Sequence, residues 1–234
     1  MSNRFLKACI WLGLVGGFAN GAGLFGLAGF FPLLDPAASA EEIAAIYRAN
    51  PIGIALGSLT FLVAAMCFLC FAVALTMAMK RMRGELDALT LTQVLSGAIA
   101  SAIFILPTFM FSLAAFRAER SAELVLLLND LGWFTFIVPA LPGTFQIGAL
   151  GFGILSDRNR ENPVMPRWVG YFCLWIATLL LPSMLAAIFK TGPFAWNGIL
   201  GFWIPGGAVV TWIIVIIVQM LKAVRSPQWA VQVP

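Results

Sequence analysis

From Ala8 to Leu34 the chain reads ACIWLGLVGGFANGAGLFGLAGFFPLL, without one charged side chain. A helix crosses the hydrocarbon core of a bilayer with about 20 apolar residues, each rising about 1.5 Å. This stretch exceeds that need, and five more like it follow. Six spans are expected, at 8–34, 52–79, 91–116, 124–155, 168–189 and 196–221. Backbone amides have no water to bond inside lipid, so such segments are read as helices.

Composition leads the same way. Charged residues make up 10% of the chain and hydrophobic ones 61%, whereas a soluble domain carries roughly 25% charged residues to wet its surface. The expectation is one integral membrane domain over residues 1–234, an all-α polytopic bundle of six transmembrane helices. Arg4 and Lys7 precede the first apolar run as they would in a signal peptide. A signal's apolar region is only about 7–15 residues long, so the run to Leu34 is read as the first span.

Ten of the 14 bases fall on one side of this six-span path: Arg4, Lys7, Lys80, Arg81, Arg83, Arg158, Arg160, Arg167, Lys222 and Arg225. Arg48, Arg117, Arg120 and Lys190 fall on the other. The positive-inside rule then places both termini in the cytoplasm. The formal charge of +4 is explained by bases that flank spans, so no nucleic-acid partner is expected.

With no histidine in the chain, His-ligated haem, His-containing di-iron or copper sites and imidazole bases are excluded. Neither metal nor cofactor is expected. Cys67 and Cys70 form a CxxC, but the surrounding AAMCFLCFAV offers no cation and no second cysteine pair. Both are read as small packing residues. Cys9 is no lipidation site, because Lys7 stands where a lipobox needs a small or apolar residue.

Between the first two spans, Ser39 and Glu42 match a capping box, and Asn50-Pro51 marks a helix end. A short helix is expected on the outer membrane interface, with Ile43 and Tyr47 on one face. Gly13, Gly17 and Gly21 recur every four residues and predict a groove for a neighbouring helix. Trp11, Trp168 and Trp229 suit the inner interfacial belt and Trp196 the outer one. Pro107, Pro139 with Pro142, Pro182 and Pro205 lie deep in the last four spans and predict kinks. Spans three and five echo each other in ILPTFMFSLAAF and LLPSMLAAIFK, and spans four and six in ALPGTF and WIPGGA, as tandem hairpins would.

Asp130 is the one carboxylate inside an apolar span, within LLLNDLGWFTFIVPALPGTFQIG. A charge at mid-bilayer costs about 2.5–3.5 kcal/mol on insertion scales, and less near the interface. Asp130 is therefore expected to face the bundle or carry a proton. Asn129, Trp133, Pro142 and Gln146 complete the candidate ligand-binding set, with Asp130, Trp133 and Gln146 along one side of a cavity on one long helix. A tolerated polar residue near a helix end is the competing reading. Asn20, Gln93, Thr108, Ser112, Thr144 and Thr211 are read as interhelical hydrogen-bond partners, and Lys190 as a snorkelling anchor. Acid–base chemistry needs a second group, and the chain has no HExxH, GxSxG or Gly-rich phosphate loop. No catalytic residue is assigned.

The stretch from LNDLGWFTFIVP through GFGILSDRNRENPVMPRWVGYFCLWIA to FKTGPFAWNG, with its helix start PVMPRWVGYF, resembles a loosely defined group of bacterial six-span membrane proteins of unknown function. That resemblance implies a bacterial inner-membrane protein and a six-helix bundle, and carries over no activity. Three functions compete. The first is a non-enzymatic binding or accessory protein for an apolar small molecule, a lipid or a membrane-protein partner. It rests on the aromatic residues Phe104, Phe109, Phe111, Trp133, Phe134, Phe136, Phe145, Trp175 and Trp203. The second is a small transporter or channel using Asp130. The third is an intramembrane enzyme acting on a lipid or isoprenoid.

Overall fold

A computed structural model describes residues 3–117, 119–226 and 229. Among these residues the fold is all-helical, with no strand. Six helices are long and apolar enough to cross a membrane: Arg4–Leu27, Pro51–Arg83, Ala88–Phe116, Ala122–Leu155, Arg167–Ala187 and Ile199–Arg225. Phe18, Ile52, Leu95, Phe116, Tyr171 and Trp175 stand outward and exposed. An apolar surface on that scale needs lipid to cover it. The chain is a multi-pass membrane protein.

Helix α1 (Asn3–Gly21) continues into a π-helical stretch, Ala22–Leu27, and α2 (Ala40–Ala49) follows outside the spans. The second span is α3 (Pro51–Arg83), the longest unbroken helix, closed at Gly84 with φ +82°. Glycine adopts that left-handed turn without a Cβ penalty. The third span divides into α4 (Ala88–Ile103) and α5 (Ile105–Phe116), and the fourth into α6 (Ala122–Ile137) and α7 (Leu141–Leu155). The fifth is α8 (Arg167–Leu180) with a 3₁₀ segment, Leu181–Ala187; the sixth begins as a π-helical turn, Ile199–Trp203, and runs on as α9 (Ile204–Arg225).

The proline positions explain these interruptions. Pro107 follows the turn at Phe104, Pro139 sits in the link before α7, Pro182 opens the 3₁₀ segment and Pro205 follows the π turn. Each ring removes an amide donor and crowds the carbonyl one turn back. The echo between spans three and five does not extend to geometry, since one break is a turn between α-helices and the other a tightened 3₁₀ run.

Three expectations are corrected. The first span does not run helically to Leu34: it stops at Leu27, where Gly29 takes φ +72° and the Phe31–Pro32 bond is cis. The chain turns back there, Phe30 N–H donates to Leu24 O at 3.0 Å, and Phe30, Leu33 and Leu34 are buried. The glycine groove follows Gly13, Gly16 and Gly23 rather than every fourth residue. A Cβ at Gly16 would stand 2.9 Å from Cys67 Cβ, whereas Gly21 has nothing within 4 Å. Steps of three and seven follow the 3.5-residue seam of left-handed helix packing. Trp196 is buried rather than belted against lipid, its indole N–H donating to Leu34 O at 2.8 Å.

At the end where the basic loops gather, α1, α3, α4, α7, α8 and α9 pack in a ring. Met82 O accepts from Arg158 N at 3.1 Å, tying the loop after α7 to the end of α3. The core here is mostly aliphatic and sulfur-bearing, with Leu75, Met79, Leu150, Ile154, Ile216 and Met220. At the far end α5 and α6 replace α4 and α7, and α2 lies against α6.

Candidate functional site

The far end is built from α2 inward. Ser39 Oγ accepts from Glu42 N at 3.4 Å, and Glu42 accepts from Ser39 N and Oγ at 2.8 Å each. Those bonds, the Ser39 amide first, hold the Glu42 carboxyl below the usual carboxylate range. At the other end of α2, Asn50 Oδ1 accepts from Gly53 N at 3.1 Å while its Nδ2 donates to Leu27 O at 3.0 Å. Both ends being fixed, α2 turns Ile43, Ala44 and Tyr47 into the bundle.

Tyr47 is fully buried, and its hydroxyl donates to Asn129 Oδ1 at 3.2 Å. Asn129 Nδ2 in turn donates to Asp130 Oδ1 at 3.3 Å. Burial, and secondarily the Asp130 carboxylate, push the Tyr47 hydroxyl well above its ordinary pKa. The phenol therefore stays a donor at neutral pH. Asp130 is half-buried about 12 Å along its span by helical rise.

Trp133 is fully buried within a nest of rings. Phe111 and Phe30 lie 5.5 and 5.8 Å away between centroids, and Trp196 is stacked at 6.4 Å. Phe61 and Phe136, at 5.0 Å, extend the network. These rings fill the space that the interrupted helices leave. Of the nine aromatic residues read as an interior, Phe104, Phe111, Trp133 and Phe136 belong to it. Phe109, Phe134, Phe145, Trp175 and Trp203 are exposed along the bundle's sides.

The fourth span is not one continuous helix, so its predicted stripe does not hold together. Asn129, Asp130 and Trp133 sit on α6, whereas Pro142 and Gln146 sit on α7, beyond the break at Val138–Ala140. Gln146 is buried over Gly97, where an added Cβ would stand 2.7 Å from its Nε2. It belongs to the seam in which Thr76 Oγ1 donates to Gln93 Oε1 at 2.9 Å. Pro142 is half-buried at the start of α7. The interhelical expectation holds for Gln93, for Thr108, which donates to Ser58 O at 3.1 Å, and for Thr144, which donates to Ala177 O at 3.4 Å. Thr211 bonds its own helix, and Asn20 Oδ1 and Ser112 Oγ are buried without a hydrogen-bond partner among the described residues.

Ser112 marks a feature that the sequence did not disclose. It lines an open groove of about 370 Å³ between α3 and α5, with Ala55, Leu59, Phe109, Leu113 and Phe116. The groove lies on the side of the bundle, and four of its walls are large apolar side chains exposed there. Among the described residues no group of three or more His, Cys, Asp or Glu side chains is placed to hold a metal ion. No protein-family model matches this chain, and no curated protein or solved structure matches it either.

Proposed function

We propose that this chain is a non-enzymatic membrane protein that binds an apolar small molecule or lipid in the groove between α3 and α5. The observation that carries this reading is an open apolar groove of about 370 Å³, lined by Ala55, Leu59, Phe109, Ser112, Leu113 and Phe116. The groove's size lies at the lower end of the roughly 300–1,000 Å³ typical of small-molecule sites. It opens where acyl chains run, so a guest arrives from the bilayer.

What favours binding over transport is that several interior polar groups are engaged at home, Asn20 Oδ1, Ser112 Oγ and Trp133 Nε1 being exceptions. Ser58, Ser101 and Thr135 each donate to a carbonyl on their own helix. The transport reading rests on the Tyr47–Asn129–Asp130 row alone. Protein extracted in a lipid-preserving polymer is expected to retain an apolar compound, and Leu113→Trp, which fills the groove, to lose it. Retention equal to wild type in Leu113→Trp defeats the proposal. Flux in proteoliposomes abolished by Asp130→Asn replaces it with the transport reading.

The setting we propose is a bacterial inner membrane with both termini in the cytoplasm, supported by the ten-to-four division of bases. A non-permeant label that reaches the α2 segment but neither terminus in intact spheroplasts is the expected result.

A further inference from the structure

The basic end carries a second site, independent of the groove. Most arginines there are engaged within the chain. Arg83 Nε donates to Asp87 at 2.7 Å and its Nη1 to Ser156 Oγ at 2.9 Å. Arg158 Nη2 donates to Glu85 at 3.1 Å, and Arg167 Nη1 to Leu155 O at 3.1 Å. Arg81 differs. Its guanidinium lies over the Trp229 ring, 4.0 Å from the centroid, and its Nη1 is buried with no hydrogen-bond partner among the described residues.

That guanidinium lines a cavity of about 210 Å³ shared with Lys222, Asn159, Asn162, Gln219 and Ser226. Two cations from different helices thus line one half-polar cavity, and among the described residues no carboxylate lines it. The loop wall is preformed. Asp157, itself buried, accepts from Asn159 N and Val164 N at 2.9 Å each, and Asn159 Oδ1 accepts from Asn162 N at 3.1 Å. With its carbonyl oxygen engaged, the Asn159 amide presents its NH₂ as a donor. The cavity therefore offers two positive charges and several donors.

We propose that this cavity binds a phosphate group, either the headgroup of an anionic phospholipid or a soluble phosphate. A tetrahedral oxyanion accepts from several donors at once, and an arginine fork matches two of its oxygens. The Trp229 ring covers one face of the guanidinium.

The test uses the full chain in detergent, with native mass spectrometry in the presence of phosphatidylglycerol or phosphatidylcholine, and thermal melting in inorganic phosphate. Wild type is expected to retain one phosphatidylglycerol in preference to phosphatidylcholine. Arg81→Gln and Lys222→Gln should each weaken retention about tenfold, the scale of one charge-assisted hydrogen bond. Arg160→Gln, in the same loop but outside the cavity, should match wild type. If phosphatidylglycerol is held no better than phosphatidylcholine while inorganic phosphate raises the melting temperature through Arg81 and Lys222, the soluble source is the ligand. Binding of both probes by Arg81→Gln and Lys222→Gln at wild-type strength overturns the site, as does a wild type that binds neither. Should Arg81→Gln fail to fold, Lys222→Gln decides alone.

Discussion

The two ends of the bundle are filled by different kinds of side chain. At the basic end helices run unbroken and close together, so small and flexible residues suffice: Gly151 approaches Gly170 O, and Gly153 faces Met79. At the far end every span but the second is interrupted or changes helical form. Interrupted helices do not lie flush, and the gaps there take rings: Phe30, Phe61, Phe111, Trp133, Phe136 and Trp196. Ring pairs at 5–6.5 Å add about 0.5–1.5 kcal/mol each beyond area burial. Proline breaks and aromatic filling thus coincide at the same end of the bundle.

The largest expected effect breaks the comparison at its centre. Trp133→Ala should lower stability by about 3–5 kcal/mol and Met79→Ala by about 2–5 kcal/mol, the range for large-to-small core changes. In side-by-side unfolding in mixed micelles, Trp133→Ala should cost more, because fixed rings collapse into a hole less readily than thioethers. A larger loss in Met79→Ala would show that aromatic filling is not the main support of the far end.

Overpacking gives a smaller but sharper contrast. A Cβ at Gly132 would overlap the Phe111 ring, whereas one at Gly153 meets the mobile Met79 methyl at 2.7 Å. Gly132→Ala should therefore cost about 1–3 kcal/mol. Gly153→Ala should be near neutral, since alanine's helix propensity is worth about 1 kcal/mol over glycine. Equal melting temperatures for the two variants would remove the distinction between rigid and yielding cores.

The smallest effect lies at the basic end. Asp87 Oδ1 accepts from Thr90 N at 2.9 Å, capping α4, and Oδ2 accepts from Arg83 at 2.7 Å. Those bonds, the Thr90 amide first, bring its carboxyl from an ordinary 3.8 down to about 2. Asp87→Ala should cost about 0.5–2 kcal/mol as a lost cap. The folded pKa is the lower one, so the contribution is complete above 3.8 and fades as pH falls towards about 2. Melting curves of wild type and Asp87→Ala should converge across that window.

Much of this was legible beforehand, for reasons that can be named. Six spans follow from length and apolarity, the capping box announced α2, and the prolines announced the breaks. What stayed hidden was which face of each helix points inward. In lipid both faces are apolar, so the contrast that marks the buried side of a soluble helix is missing. Gly13, Gly16 and Gly23 look no different from Gly17 and Gly21 in that setting. Asp130 stood out as a carboxylate, but Tyr47, joined to it through Asn129, lies 82 residues before that asparagine in sequence. The pairing of two distant spans, as at Arg81 and Lys222, left no local trace at all.

Asn50 holds the turn of the first span, the end of α2 and the start of α3 in one side chain, donating to Leu27 O and accepting from Gly53 N. A roof nailed to two walls at its corner cannot swing as a door. A cap fixed in this way suits the lateral entry we propose, between the helices and out of the plane of the fatty chains.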